Sequence, residues 1–72
     1  MNKKEILIVQ TYLRDKLGNQ KLRLDPNTAT KDSVEVFLDD EFIAVVSRDV
    51  EDGDLSYNFH MAILQEDLPG DD

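Results

Sequence analysis

The sequence feature that most constrains the fold is an alternating run near the C-terminal end of the chain. From Leu55 to Ile63 every second residue is apolar or aromatic, and the residues between them are mostly polar. A period of two predicts a β-strand with one buried face. At about 30 Å this strand would outreach a helix over residues 3–17, which covers about 22 Å. We therefore expect its far end to bend, to contact a partner or to become helical.

A helix is predicted over residues 3–17. Asn2 can cap its first turn, with Glu5 three residues later in the position of a capping box. Gly18 stands where a left-handed C-terminal cap is expected. Helical spacing places four apolar side chains on one face, which predicts a core stripe. These are Ile6, Val9, Leu13 and Leu17.

Three further apolar residues of this helix, Leu7, Ile8 and Tyr12, lie outside the stripe. Ile8 and Tyr12 are four residues apart, which places them on neighbouring turns, so they form a second small ridge. The ridge is either ordinary apolar surface beside the core or a contact between subunits.

Three more strands are predicted, at residues 21–24, 33–38 and 41–47, with a loop over residues 25–32. Asp39-Asp40 is expected to form a two-residue hairpin turn.

This turn would pair Phe37 with Phe42 on one side of the sheet. On the other side the facing pairs would be Val36 with Ile43 and Val34 with Val45. A turn of three residues would shift the register by one. Either register leaves apolar side chains on both faces of the hairpin.

These elements predict an α+β fold, in which an N-terminal helix packs on a four-stranded antiparallel β-meander. The chain has 72 residues and no cysteine, so no disulfide reinforces its small core. We expect residues 1–64 to form a single compact domain and residues 65–72 to form a disordered acidic tail.

The formal net charge of −8 is concentrated in the second half of the chain. A field of this sign repels phosphate backbones and anionic lipid, so neither nucleic acid nor a membrane is expected as a partner. The sequence shows no targeting segment, and only four apolar residues run together near the N-terminus. A cytoplasmic location is expected.

An acidic loop at residues 49–54 raises the possibility of a cation site. An EF-hand loop needs oxygen ligands, a glycine and a final glutamate at fixed positions, and neither frame around Gly53 supplies them. A looser carboxylate site could hold a divalent cation weakly. Its ligands would be Asp49, Glu51, Asp52 and Asp54. In the competing interpretation Asp52-Gly53 forms a hairpin turn that the carboxylates keep solvated.

The sequence supplies little for catalysis, and we expect neither an enzyme nor a cofactor. His60 is the one histidine, and Ser56 and Asn58 share its side of the alternating strand. Side chains two residues apart on a strand are separated by about 7 Å, beyond the reach of a nucleophile–base pair. A glycine-rich phosphate loop is also missing from the sequence.

The segments "EVFL" (35–38), "DEFIA" (40–44) and "DVEDGDLSYNFHMAIL" (49–64) resemble a family of small alphaproteobacterial proteins of unknown function. The family pattern has tyrosine at Phe37, glycine at Ala44, an acidic residue at Val50 and glutamine at His60. The substitution at His60 counts against a catalytic histidine. The resemblance implies a stand-alone cytoplasmic protein and assigns no activity.

The leading hypothesis is a non-enzymatic protein-interaction module that forms a homodimer, because apolar surface is left over after the core is assigned. The candidate contact residues are Ile8, Tyr12, Phe37 and Phe42. The alternative is weak divalent-cation binding through residues 49–54.

Overall fold

The computed structural model describes residues 1–51 and 53–70. Within these residues the chain forms one α-helix followed by an antiparallel sheet with strand order β1-β2-β3-β4. The elements are helix α1 (Lys3–Leu17) and strands β1 (Leu22–Asp25), β2 (Ser33–Leu38), β3 (Glu41–Glu51) and β4 (Asp54–Met61). The predicted α+β arrangement of a helix and a four-stranded meander is confirmed.

Helix α1 begins and ends where its local signals predict. The side-chain oxygen of Asn2 accepts a hydrogen bond from the backbone N–H of Glu5 at 2.7 Å. Gly18 adopts the left-handed conformation, with φ 65°, and its N–H donates to the carbonyl of Arg14. Each cap satisfies a backbone group that the helix leaves unpaired at its end.

The core lies between α1 and one face of the sheet. Its buried residues are Ile6, Val9, Leu22, Leu24, Val34, Val36, Ala44 and Val46. The predicted stripe of α1 is confirmed at Ile6 and Val9, and Leu13 packs against the core while partly buried. The assignment of Leu17 was wrong, since it is 53% exposed. Arg14 already bonds the first residue of β1, so the last turn of α1 extends past the end of that strand.

The hairpin between β2 and β3 has the predicted two-residue turn. Asp39 and Asp40 both have positive φ, 52° and 69°, as a tight turn matched to sheet twist requires. Phe37 pairs with Phe42 as expected.

A β-bulge beside this aromatic pair changes the rest of the predicted register. It inserts one extra residue into β3, so each later partner moves by one position. Val36 therefore pairs with Ala44, and Val34 pairs with Val46. The expected pairings with Ile43 and Val45 were wrong.

Strands β3 and β4 project beyond the rest of the sheet. Pairing of β2 with β3 ends at Ser33 and Ser47, whereas β3 continues to pair with β4 as far as Glu51 and Asp54. The radius of gyration is 13.6 Å, while a compact chain of this length has about 11 Å. Strand β3 is longer than the predicted strand over residues 41–47. Strand β4 ends at Met61, whereas the alternating pattern predicted a strand as far as Ile63.

Gln65–Asp67 form a short 3-10 turn within the predicted tail. The last two residues of that tail lie outside the described residues, as does Asp52. The domain boundary at residue 64 and the disorder of the tail stay predictions.

Candidate functional site

Helix α1 is fastened to the β1 side of the sheet. The side-chain oxygen of Gln10 accepts a hydrogen bond from the N–H of Leu24 at 3.0 Å. The Nε–H of Arg14 donates to the carbonyl of Leu22 at 2.7 Å. The buried core residues of the sheet come from β1, β2 and β3, so the covered part of the sheet extends as far as β3. The far side of the sheet, at β4, is left open.

Strand β4 turns its apolar side chains toward the same side of the sheet as the core. Phe59 pairs with the buried Val46, and Met61 pairs with the buried Ala44. The predicted facing of β4 is therefore right. Its predicted burial was wrong, because Phe59 is 37% and Met61 51% exposed. The lateral position of α1 explains this exposure.

An apolar groove runs between α1 and β4, with a volume of about 360 Å³. We call it the α1–β4 groove. It is lined chiefly by Ile8, Tyr12, Leu13, Val46, Tyr57 and Phe59. The predicted Ile8–Tyr12 ridge forms its helical wall, so ridge and strand make one continuous apolar surface. Asn58 is also among the lining residues, although its side chain lies on the opposite face of β4.

A polar cluster closes the groove near the N-terminal end of α1. The hydroxyl of Tyr57 donates to a carboxylate oxygen of Glu5. The Arg48 guanidinium lies between two acids, with Nε 3.2 Å from Glu5 Oε2 and Nη1 3.8 Å from Asp32 Oδ1. The Arg48 Nε–H is buried and has no hydrogen-bond acceptor among the described residues. Its contact with Glu5 is therefore ionic rather than a directed hydrogen bond.

These contacts shift the pKa of both groups that share the hydrogen bond. The hydrogen bond from Tyr57 lowers the pKa of Glu5 below its ordinary value, partial burial opposes this, and the charge of Arg48 adds to it. The same hydrogen bond to the Glu5 carboxylate raises the pKa of Tyr57, and partial burial of the phenol adds to the rise. Both shifts favour a charged Glu5 beside a protonated Tyr57.

The other two predicted contact residues, Phe37 and Phe42, lie on the opposite face of the sheet. Their rings meet edge to face with centroids 6.0 Å apart. The Arg23 guanidinium lies 5.1 Å from the centroid of the Phe37 ring and covers part of it. Phe42 remains 51% exposed. The four predicted residues thus belong to two separate surfaces.

The described acidic residues at the end of the β3–β4 hairpin do not form a cluster of three. Glu51 pairs directly with Asp54, and Asp49 pairs with Ser56. Over residues 1–51 and 53–70, no three acidic, histidine or cysteine side chains are grouped closely enough to hold a metal ion. Asp52, the remaining predicted ligand, lies outside the described residues. The alternative of a cation site gains no geometric support.

His60 pairs with Val45 and follows the groove residue Phe59 along β4. It is exposed, as expected for a histidine on the polar side of a strand.

The sequence interpretation missed two features of the site. One is the polar cluster of Glu5, Arg48, Asp32 and Tyr57, which brings distant segments of the chain together. The other is an exposed apolar pair, Val50 and Leu55, at the projecting end of the hairpin. The alternation from Leu55 signalled the second feature, but the first depends on how α1 is placed over the sheet.

None of the helices in the described part of the chain combines the length and apolar character that a membrane crossing requires.

Comparison with known proteins identifies a family and no activity. No curated protein and no solved structure matches the chain. Residues 5–67 match the family described as "Protein of unknown function (DUF3126)". This confirms the resemblance to a family of unknown function, and the chain belongs to that family.

Proposed function

We propose that the chain is a non-enzymatic protein-interaction module that associates with itself through the α1–β4 groove. The observation that supports this function best is the exposure of apolar side chains on both walls of the groove. Ile8 and Tyr12 form one wall, and Tyr57 with Phe59 forms the other. Soluble monomers rarely leave a contiguous apolar surface of this kind open to water.

The total surface of the chain supports the same proposal. Its accessible area is 5496 Å², whereas a compact monomer of this mass exposes about 4,600 Å². The exposed groove side chains contribute to this excess of about 900 Å², together with the projecting β3–β4 hairpin and residues 62–70. Burying the exposed parts of the groove side chains would contribute about 1 kcal/mol for each large side chain.

The chemistry of the groove and the charge of the chain narrow the class of partner. A nearly apolar lining suits a protein surface better than a small polar substrate. The net charge of −8 disfavours nucleic acid and anionic lipid. Because the sequence contains no cysteine, a reducing cytoplasmic location is part of the proposal.

Sedimentation equilibrium of the parent and two variants tests this function. We expect the parent to be a dimer at tens of micromolar. Phe59→Asp places a charge in the groove and should give a monomer, whereas His60→Asp, the matched change one residue along β4, should stay dimeric. Circular dichroism checks that both variants fold. A parent that sediments as an 8.3 kDa species up to millimolar concentration would contradict the proposal.

A further inference from the structure

We infer that the α1–β4 groove is filled by helix α1 of a second copy, which lies over the uncovered strand β4. This inference rests on the proposed self-association and names its interface. In the resulting dimer each helix packs on the core of its own chain, to which β1, β2 and β3 contribute, and lies over β4 of its partner. The two helices lie side by side.

The width of the uncovered part of the sheet leaves room for a second helix beside α1. Core residues come from β1, β2 and β3, and β4 lies about 10 Å from β2 at a strand spacing of about 4.8 Å, which is the diameter of one helix. Along β4 the groove is bounded at one end by the hydrogen bond between Tyr57 and Glu5, and the strand from Tyr57 to Met61 is about 13 Å long. A second helix therefore contacts β4 over about two of its turns.

The flank of α1 that borders the groove carries the apolar residues that such a contact needs. Gln10 and Arg14 on one flank bond to β1, and Ile8 and Tyr12 on the other flank line the groove. In a symmetric dimer the same ridge borders the groove of its own chain and enters the groove of its partner. Such a self-complementary contact is the commonest way in which two copies associate.

The distribution of charge favours the helix over strand β4 as the occupant. By sequence, α1 carries four basic and two acidic residues, whereas residues 41–61 carry five acidic residues and one arginine. Placing α1 on the partner's β3–β4 hairpin brings opposite net charges together. Pairing β4 with its own copy, edge to edge, would bring two acidic hairpins together and leave the groove open.

Isotope-filtered NOE spectroscopy on a mixture of isotope-labelled and unlabelled full-length chains tests the inference, because it records contacts between copies alone. We expect contacts from the side chains of Ile8 and Tyr12 in one copy to Phe59 and Met61 in the other. A dimer whose intermolecular contacts join β4 to β4, or join Leu64 and Leu68 to the groove, would overturn the inference and leave the proposed self-association standing. A monomer at every concentration would overturn both.

A pair of helix variants gives a second, independent test. Ile8 and Leu7 are exposed to similar degrees, 61% and 54%, but Leu7 is outside the groove lining. Ile8→Glu should weaken dimerisation by at least about tenfold, equivalent to roughly 1.4 kcal/mol. Leu7→Glu should change the dimer Kd less than about twofold. Equal effects of the two changes would contradict the inference.

Discussion

Neighbouring residues on β4 have different physical roles although they stand side by side in the sequence. Phe59 faces the α1–β4 groove and pairs with the buried Val46, whereas His60 pairs with Val45. The side of the sheet determines which of them contributes to packing. The degree of burial then determines how much each contributes, and Phe59 is only partly buried in one copy of the chain.

A truncation series on core and groove residues measures this difference. Leu24 is 2% exposed, so Leu24→Ala should cost about 3–4 kcal/mol of the free energy of unfolding. Phe59→Ala should cost less, about 2 kcal/mol, because part of its ring already contacts water. Urea denaturation at low protein concentration, where the chain is monomeric, gives both values. A larger loss for Phe59→Ala would show that the groove is closed in the monomer.

At the scale of elements, α1 is joined to β4 through the hydrogen bond between Glu5 and Tyr57. Arg48 on β3 supports this hydrogen bond through its charge. The cluster fixes the N-terminal end of the helix and leaves the rest of the groove open. Because two of its members titrate, the strength of this attachment depends on pH.

The pKa shifts give the direction of this dependence. The folded-state pKa of Glu5 lies below its ordinary value of 4.5, so its contribution is present above that value and is lost as the pH falls through the lowered pKa. The folded-state pKa of Tyr57 lies above 10.0, so its contribution is present below 10.0 and is lost as the pH rises through the raised pKa.

Thermal melts across acid and alkaline pH check this behaviour. The parent should lose melting temperature below about pH 4.5 and above about pH 10, as the two ordinary pKa values require. Tyr57→Phe keeps the ring and removes the hydroxyl, so the loss of melting temperature at alkaline pH should be smaller than in the parent. The loss of melting temperature at acid pH should also be smaller, because Glu5 no longer accepts the hydrogen bond that lowers its pKa. If Tyr57→Phe follows the parent at both ends of the range, the cluster does not stabilise the fold.

Local signals predicted the elements well, and contacts between distant segments account for the errors. Asn2, Gly18 and the Asp39-Asp40 turn act within a few residues, so the sequence revealed them. The bulge that brings Ala44 into the core depends on the packing of side chains between strands. The sideways position of α1 depends on hydrogen bonds from Gln10 and Arg14 to β1. The sequence therefore indicated the Ile8–Tyr12 ridge, but not the groove that it borders.

At the scale of the whole molecule, the described fold is a sheet wider than the helix that covers it. A core of eight buried residues is small for a chain that must offset the conformational entropy of folding. Burial of the groove against a second copy would enlarge this core without lengthening the chain. Folding stability would then depend on association, and therefore on protein concentration.

This dependence can be measured from the melting temperature alone. Raising the protein concentration from near the dimer Kd to a hundred times that value adds about 2.3 kcal/mol to the stability of the folded state. For a domain of this size such a gain should raise the melting temperature by about 10 °C or more. Leu7→Glu should show the same rise as the parent, because its side chain is outside the groove lining. Ile8→Glu should show a smaller rise over the same concentrations, since a charged side chain at the groove weakens the association that is coupled to folding. A parent whose melting temperature is constant over this range would show that the exposed groove belongs to the folded monomer and gains nothing from a second copy.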